Sequence, residues 1–267
     1  MTKLDILIPT FSRKTSLAVT LTSLVGQTFQ DFDLVISDQT KERGYLNDME
    51  FQTLFRFFKS KGKQVKVFKH FPSKGMAEQR DFLLSQAASP YVLYLDDDLI
   101  LEPKVIARMH RALKQEKCGF VGCAPVGLSH LDDVRLREQA VEFWTRKVSP
   151  EIIDPDSPVW QRHKLHNAAN LYHLQQSFPS QKVRRYKIAW IGACVMYDRE
   201  KLVDVGGFSF WPKLPSEHAG EEVYVQNLLL RKYGGCGIIP SEVYHLELPT
   251  TVKNRQTNAI SLLSAGV

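Results

Sequence analysis

The sequence predicts an α/β fold, a mostly parallel sheet sandwiched by helices. Three observations predict it. Short aliphatic runs alternate with helix-length segments through residues 1–125. The first of them, Leu4 to Pro9, is compactly aliphatic, which suits a strand covered on both faces. The distinctive polar residues fall just after these runs, where the carboxyl ends of parallel strands form ligand crevices.

Leu4 to Pro9 reads as the first strand, and Ser12 is placed to cap a helix ending near Gly26. Asp33 to Ser37 is a second strand, followed by a helix pattern through Phe51, Leu54, Phe55 and Phe58. Val65 to Phe68 is a third strand, Gly75 to Ala88 a helix, and Tyr91 to Leu95 a fourth strand running into Asp96-Asp97-Asp98. Pro103 opens another helix, as proline does in a first turn, leading to a strand at Gly119–Cys123. From 126 to 187 the pattern loosens around Pro150, Pro155, Pro158 and Pro179. Regular structure resumes with Ile188–Tyr197, a helix starting at Asp198, a helix after Gly220, and a segment Cys236–Leu246. Strand–helix–strand repetition implies right-handed parallel crossovers. The whole of 1–267 reads as a single domain, its first 125 residues a regular strand–helix half and the remainder carrying an irregular insertion at 126–187.

The bulk properties exclude several classes. With 43% hydrophobic and 24% charged residues the chain is not disordered, and 267 residues can bury a sizeable core. The net charge of +6 is dispersed, which fits an anionic ligand and gives no sign of nucleic-acid readout. No apolar run is long enough to span a bilayer or form a signal-peptide core. Cys118, Cys123, Cys194 and Cys236 have neither metal spacing nor framework density, the pattern of reduced thiols in a cytoplasmic protein.

Three adjacent carboxylates after a buried strand repel one another unless a cation sits among them. Hard divalent ions, Mn²⁺ or Mg²⁺, take oxygen ligands and often combine one or two carboxylates with substrate phosphates. In an extended segment Asp96 and Asp98 share one side and Asp97 points elsewhere. A solvated turn is the bland alternative. An aspartyl phosphohydrolase is disfavoured, since the first strand ends in Pro9-Thr10 with no acid. Glu221-Glu222 supplies a second carboxylate site, which the helix dipole alone also explains.

Five ordered segments carry a family resemblance: LDILIPTFSR through DLVISDQT, SKGMAEQRDFLLSQAASPYVLYLDDDLILEP, WIGACVMYDREKLVDVGGFSF, GEEVYVQNLLLRKYG and IIPSEVYHLE. Together they resemble the family 2 glycosyltransferases, which have the GT-A fold with a smaller acceptor-side sheet. The resemblance implies an inverting, metal-dependent transfer from a nucleoside diphosphate sugar, a UDP-sugar in most of the family, to a hydroxyl of a glycan or lipid-linked acceptor. It implies that Pro9, Thr10, Phe11, Arg13, Asp38, Gly75, Arg80, Asp96 and Asp97 serve the donor. Asp96, Asp98 and His245 would hold the metal. Trp190, Gly192, Ala193, Trp211 and Gly220 would shape the acceptor pocket. Glu222 would be the base, with Glu221 open as the alternative because the family's second acid is usually aspartate. An ionised glutamate needs little tuning to accept a proton at neutral pH. Acceptors of this class imply a cytoplasmic protein meeting the inner face of a membrane peripherally. A nucleotidyltransferase shares the strand-end site but usually has a glycine-rich loop, and PTFSRK is not glycine-rich. A noncatalytic sugar-nucleotide or glycan binder needs no base. The insertion, with Trp160, His163, His166 and Tyr172, is where acceptor specificity is expected; its histidines lack partners at zinc spacing.

Overall fold

A computed structural model describes residues 3–41, 44–178, 182–250, 252 and 255–264. The chain begins with β1 (Leu4–Thr10), α1 (Lys14–Val25), β2 (Phe32–Asp38), α2 (Met49–Ser60) and β3 (Val65–Lys69). It continues with α3 (Met76–Ser85), β4 (Tyr91–Leu95), β5 (Leu99–Leu101), α4 (Val105–Glu116), β6 (Phe120–Gly122) and β7 (Val126–Gly127). Then come α5 (Asn170–Gln176), β8 (Arg184–Tyr186), β9 (Cys194–Asp198), α6 (Arg199–Asp204) and α7 (Glu221–Tyr233). β10 (Gly235–Ile239), β11 (Val243–His245) and α8 (Ala259–Ser264) complete it.

Eight strands form one sheet in the order β3-β2-β1-β4-β9-β6-β10-β8. β3, β2, β1 and β4 run parallel, β9 runs against both its neighbours, and β10 pairs parallel to β6. The first half of the chain thus supplies one flank, and β9, β10 and β8 from the second half extend the same sheet. β1 and β2 are buried along their whole length, as non-alternating aliphatic runs require. Leu4, Ile6 and Ile8 pack on one face with the apolar residues of α1, α2 and α4. Leu7, Val35 and Tyr94 point to the other, beneath Leu83 of α3, Leu202 of α6 and Val225 and Leu229 of α7. A second sheet of three strands, β5-β11-β7, joins the segment after the acidic cluster to the C-terminal strand. No helix among the described residues is long and apolar enough to cross a membrane.

Four local expectations change. Ser12 does not cap α1: it takes a positive φ of 53°, its N–H bonds Thr40 Oγ1 at 2.9 Å, and Arg13 precedes the helix without a side-chain cap. The regular structure expected over Ile188–Tyr197 begins only at β9; residues 188–193 form no helix or strand, ending in Ala193 at φ 69°. The segment Cys236–Leu246 breaks at Pro240, and its two strands join different sheets. Within 126–187 the chain is not patternless, since it forms β7, α5, β8 and several 3₁₀ turns. Asp198 does cap α6, accepting the Lys201 N–H at 3.2 Å.

Candidate active site

Parallel pairing puts Thr10 opposite Asp38, and β4 beside β1 brings Asp96 to the same edge. A cavity of about 580 Å³ opens there, within the range of small-ligand sites. Its wall includes Pro9, Thr10, Phe11, Arg13, Arg80, Asp96, Asp97, Asp98, Trp190, Gly220, Glu221, Glu222 and His245. Residues as far apart in sequence as Pro9 and His245 therefore share one cleft, because β1 and β4 end at it and α7 begins there.

The acidic cluster is a turn between β4 and β5, so strand alternation does not govern it. Asp96 N–H bonds Ala193 O at 2.8 Å, and Leu246 N–H bonds Asp98 O at 2.9 Å, which pins both ends of the turn. Contrary to expectation, Asp97 does not point away. Its Oδ2 accepts from Thr10 Oγ1 at 2.6 Å, and its Oδ1 lies 3.3 Å from Arg13 Nη1. Burial pushes its carboxyl up to about 7, against the pull of Thr10 and Arg13. Asp98, with a side chain only 3% exposed, faces Arg13 and has Oδ2 3.5 Å from His245 Nε2.

The expected metal trio does not assemble. Among the described residues no three His, Cys, Asp or Glu converge tightly enough to hold an ion. Asp96 is drawn instead toward Arg80, whose Nη2 stands 3.5 Å away. What remains is a carboxylate–imidazole pair, Asp98 with His245. One hard ligand and one imidazole, completed by phosphate oxygens and water, form a donor set Mn²⁺ or Mg²⁺ accepts.

Arg80 occupies the centre. Its side chain is 3% exposed, and Nε donates to Glu221 Oε1 at 3.2 Å. Nη1 lies 3.0 Å from Glu222 Oε1, in charge contact without hydrogen-bond alignment. Its plane also sits over the Tyr94 ring, 5.4 Å from the centroid. Burial works against the guanidinium's charge, yet Glu222, Asp96 and Glu221 more than offset it and raise its affinity for the proton. Glu222 shows the reverse balance: burial, aided by Asp96 and Glu221, raises its carboxyl above the ordinary range, only partly countered by Arg80 and the Ala193 N–H. The expectation of an untuned glutamate therefore fails, because α7 buries the side chain at its first turn.

Some expected residues support the cleft without lining it. Asp38 is fully buried, its Oδ1 accepting Thr40 N–H at 2.8 Å and its Oδ2 2.8 Å from Lys69 Nζ. A β-carbon on Gly192 would lie 3.6 Å from Glu222 Oε2, so this glycine lies directly behind Glu222. Gly75 precedes α3 at φ 109°, where a β-carbon would lie 2.6 Å from Ser216 O and 2.7 Å from His218 Cε1. Trp211 packs near Leu214 and Ala77, away from the cavity wall.

Other wall residues carried no sequence signal. His218 is 2% exposed; with Nδ1 2.7 Å from Pro215 O, its Nε2 accepts the Ala77 N–H at 3.2 Å and ties the start of α3 to the loop before α7. Gln79 also lines the cavity and donates to Ser37 O at 2.8 Å. Arg255 and Asn258 arrive from a C-terminal segment with no periodicity to flag it. Ala219 N–H bonds Thr257 O at 3.0 Å, and Ala259 N–H returns to Ala219 O at 2.8 Å, so this segment braces the loop bearing Gly220.

A parallel sheet ending at an acidic turn, extended by antiparallel β9 and accompanied by a small second sheet, is the GT-A architecture. Residues 5–190 match the model of glycosyl transferase family 2, and the chain belongs to that family. It is similar in fold to S. aureus TarS 1–349 solved with UDP-GlcNAc, at 15% identity and a TM-score of 0.57 over 94% of this chain and 60% of that one. It is likewise similar to GalNAc-T7 solved with UDP, GalNAc and Mn²⁺, at 14% identity and a TM-score of 0.61, covering 92% of this chain and 44% of that one. A mannosyltransferase from Pyrobaculum calidifontis, solved with GDP-Man and Mn²⁺, gives 12% identity and a TM-score of 0.52 over 88% and 56% of the two chains. The chain thus spans well under two thirds of the length of these structures. No curated protein matches it.

Proposed function

We propose that this protein is an inverting glycosyltransferase that moves a sugar from a UDP-sugar to a hydroxyl of a glycan or lipid-linked acceptor, using Mn²⁺ or Mg²⁺. The observation that carries the reading is Arg80, which ties Asp96 on the donor side of one cavity to Glu221 and Glu222 on the other. Five carboxylates line the cavity against Arg13, Arg80 and Arg255, an acidic excess that favours a divalent ion arriving with a diphosphate. Two of the three similar structures described above hold uridine nucleotides, which supports that base.

In this reading Pro9, Thr10 and Phe11 wall the nucleoside. Asp38, held against Thr40 and Lys69 beside that wall, would meet the base, and Asp98 with His245 would hold the ion. Held there, the ion would supply Lewis acidity that offsets the charge of the departing diphosphate. Glu222 lies across the cavity at the first turn of α7 and takes the proton from the acceptor hydroxyl as it attacks the anomeric carbon. Arg80 keeps that carboxylate beside a fixed positive charge, so it can ionise despite burial. Trp190 offers the acceptor sugar a ring, backed by His163 stacked at 14° with centroids 6.0 Å apart. Four buried free cysteines fit the cytoplasmic setting, with any membrane contact peripheral.

The test is incubation with a panel of nucleotide sugars, with and without Mn²⁺, reading released nucleoside diphosphate. Metal-dependent release from a UDP-sugar is expected; silence across the panel would mean the protein only binds. Calorimetry showing equal donor affinity with and without Mn²⁺ would refute the metal's part.

A further inference from the structure

Arg13 stands in the turn between β1 and α1, its side chain 15% exposed at the cavity wall. Its Nη1 donates to Asp98 Oδ2 and lies 3.3 Å from Asp97 Oδ1, while Nη2 donates to Pro249 O at 2.7 Å. Asp98 Oδ2 is also the oxygen 3.5 Å from His245 Nε2. One carboxylate oxygen therefore meets a guanidinium and the imidazole that together with it suits a divalent ion.

Those two occupants exclude each other. An ion of this kind sits about 2.1 Å from its oxygen ligands. A guanidinium left at hydrogen-bond distance from that same oxygen would face the ion with like charge in a poorly solvated wall, where repulsion is strong. We propose that Arg13 is the resident counter-ion of the cation position, competing with the divalent ion for Asp98 and turning toward the diphosphate when ion and donor enter. This rests on reading Asp98 and His245 as the protein's ligands to the ion.

The geometry supports such an exchange. Arg13 is the more exposed member of its pair with Asp98, whose side chain is 3% exposed, so the arginine moves and the aspartate stays. Its planar fork matches phosphate oxygens as well as carboxylates. A diphosphate then offers ligands to the incoming ion and a new partner to the displaced arginine. Ion and nucleotide consequently bind cooperatively, and the ion alone binds weakly.

The experiment measures Mn²⁺ binding from the electron paramagnetic resonance signal of the free ion, first with Mn²⁺ alone and then with UDP added. The full chain is compared with Arg13→Gln, Arg13→Lys and Asp98→Asn, each checked for a native melting transition. Arg13→Gln is expected to bind Mn²⁺ alone about ten-fold tighter than the unaltered protein, and to gain less from UDP. Arg13→Lys keeps the competing charge and should bind Mn²⁺ nearly as the unaltered protein does. Equal or weaker Mn²⁺ affinity in Arg13→Gln, or Arg13→Lys behaving like Arg13→Gln, overturns the competition. If Asp98→Asn binds Mn²⁺ undiminished, it is the assignment of Asp98 as a ligand that fails. A loss in Asp98→Asn with no gain in Arg13→Gln leaves that assignment intact and removes only the role given to Arg13.

Discussion

Arg80 Nη1 stands 3.0 Å from Glu222 Oε1, on an arginine whose side chain is 3% exposed. Three carboxylates share that one positive charge, so its loss leaves the largely buried Glu221 and Glu222, and the part-exposed Asp96, without that counter-ion. Arg80→Gln is expected to destabilise the fold by about 3–5 kcal/mol, the usual cost of breaking a buried ion pair from one side. A melting temperature within a degree of the unaltered protein would show that the cluster does not depend on Arg80.

Glu222→Gln preserves shape and removes the base. Turnover is expected to fall by roughly 10²–10⁴-fold while donor affinity stays within about two-fold. Glu221→Gln, which loses only the bond to Arg80 Nε, should slow turnover less. If Glu221→Gln proves the more damaging, the base is Glu221.

His166 sets an acid limit on stability. Its Nε2 is 3.0 Å from Tyr186 Oη, and burial, with His163 nearby, lowers the ring to about 4 from an ordinary 6.5. Well above pH 6.5 the ring is neutral in both folded and unfolded chains, and stability owes nothing to its titration. Between 6.5 and 4 the unfolded ring binds a proton that the folded ring refuses, so stability falls with acid, by roughly 2–3 kcal/mol at the lower end. Urea midpoints should drop less steeply over that window in His166→Gln than in the unaltered protein. Parallel curves would show that the ring charges freely in place.

Gly220 turns the chain into α7 at φ 81°, and a β-carbon there would lie 2.6 Å from Asn258 Oδ1. Gly62 has a similar φ of 78° with nothing within 4 Å of its β-carbon position. Each change to alanine carries backbone strain of about 1 kcal/mol. Only Gly220→Ala should also displace the turn carrying Glu221 and Glu222, and lower kcat. Equal kcat in the two variants would mean that the contact with Asn258 does not set the position of the acids.

Trp190→Ala removes the stacking ring from the cavity wall. The acceptor KM should rise about ten-fold, in line with an aromatic contact, with the affinity for UDP unchanged. A change confined to UDP affinity would move Trp190 to the donor side.

The outline of this protein is written in its local patterns. The runs at Leu4, Asp33, Val65 and Tyr91 each became a strand, and the acids after Leu95 fell at a strand end; the non-alternating ones took covered places in the sheet, while Val65–Lys69, with two lysines, became its exposed edge. Asp98, Glu222 and His245 were legible as candidates because they sit in motifs with recognisable spacing. Partnership was not legible. Nothing local says that Asp96 faces Arg80 while Asp98 faces Arg13 and His245, since those pairings depend on how β4, α3, α7 and β11 meet. Charge state was hidden for the same reason: Glu222 is an ordinary glutamate until α7 buries it against Gly192 and Arg80. His218 and Asn258 joined the site through contacts 141 and 39 residues distant, with Ala77 and Ala219, which no periodicity encodes. The acids of the opening cluster and of α7 were determined by sequence; which of them share a charge was decided only when the chain closed around Arg80.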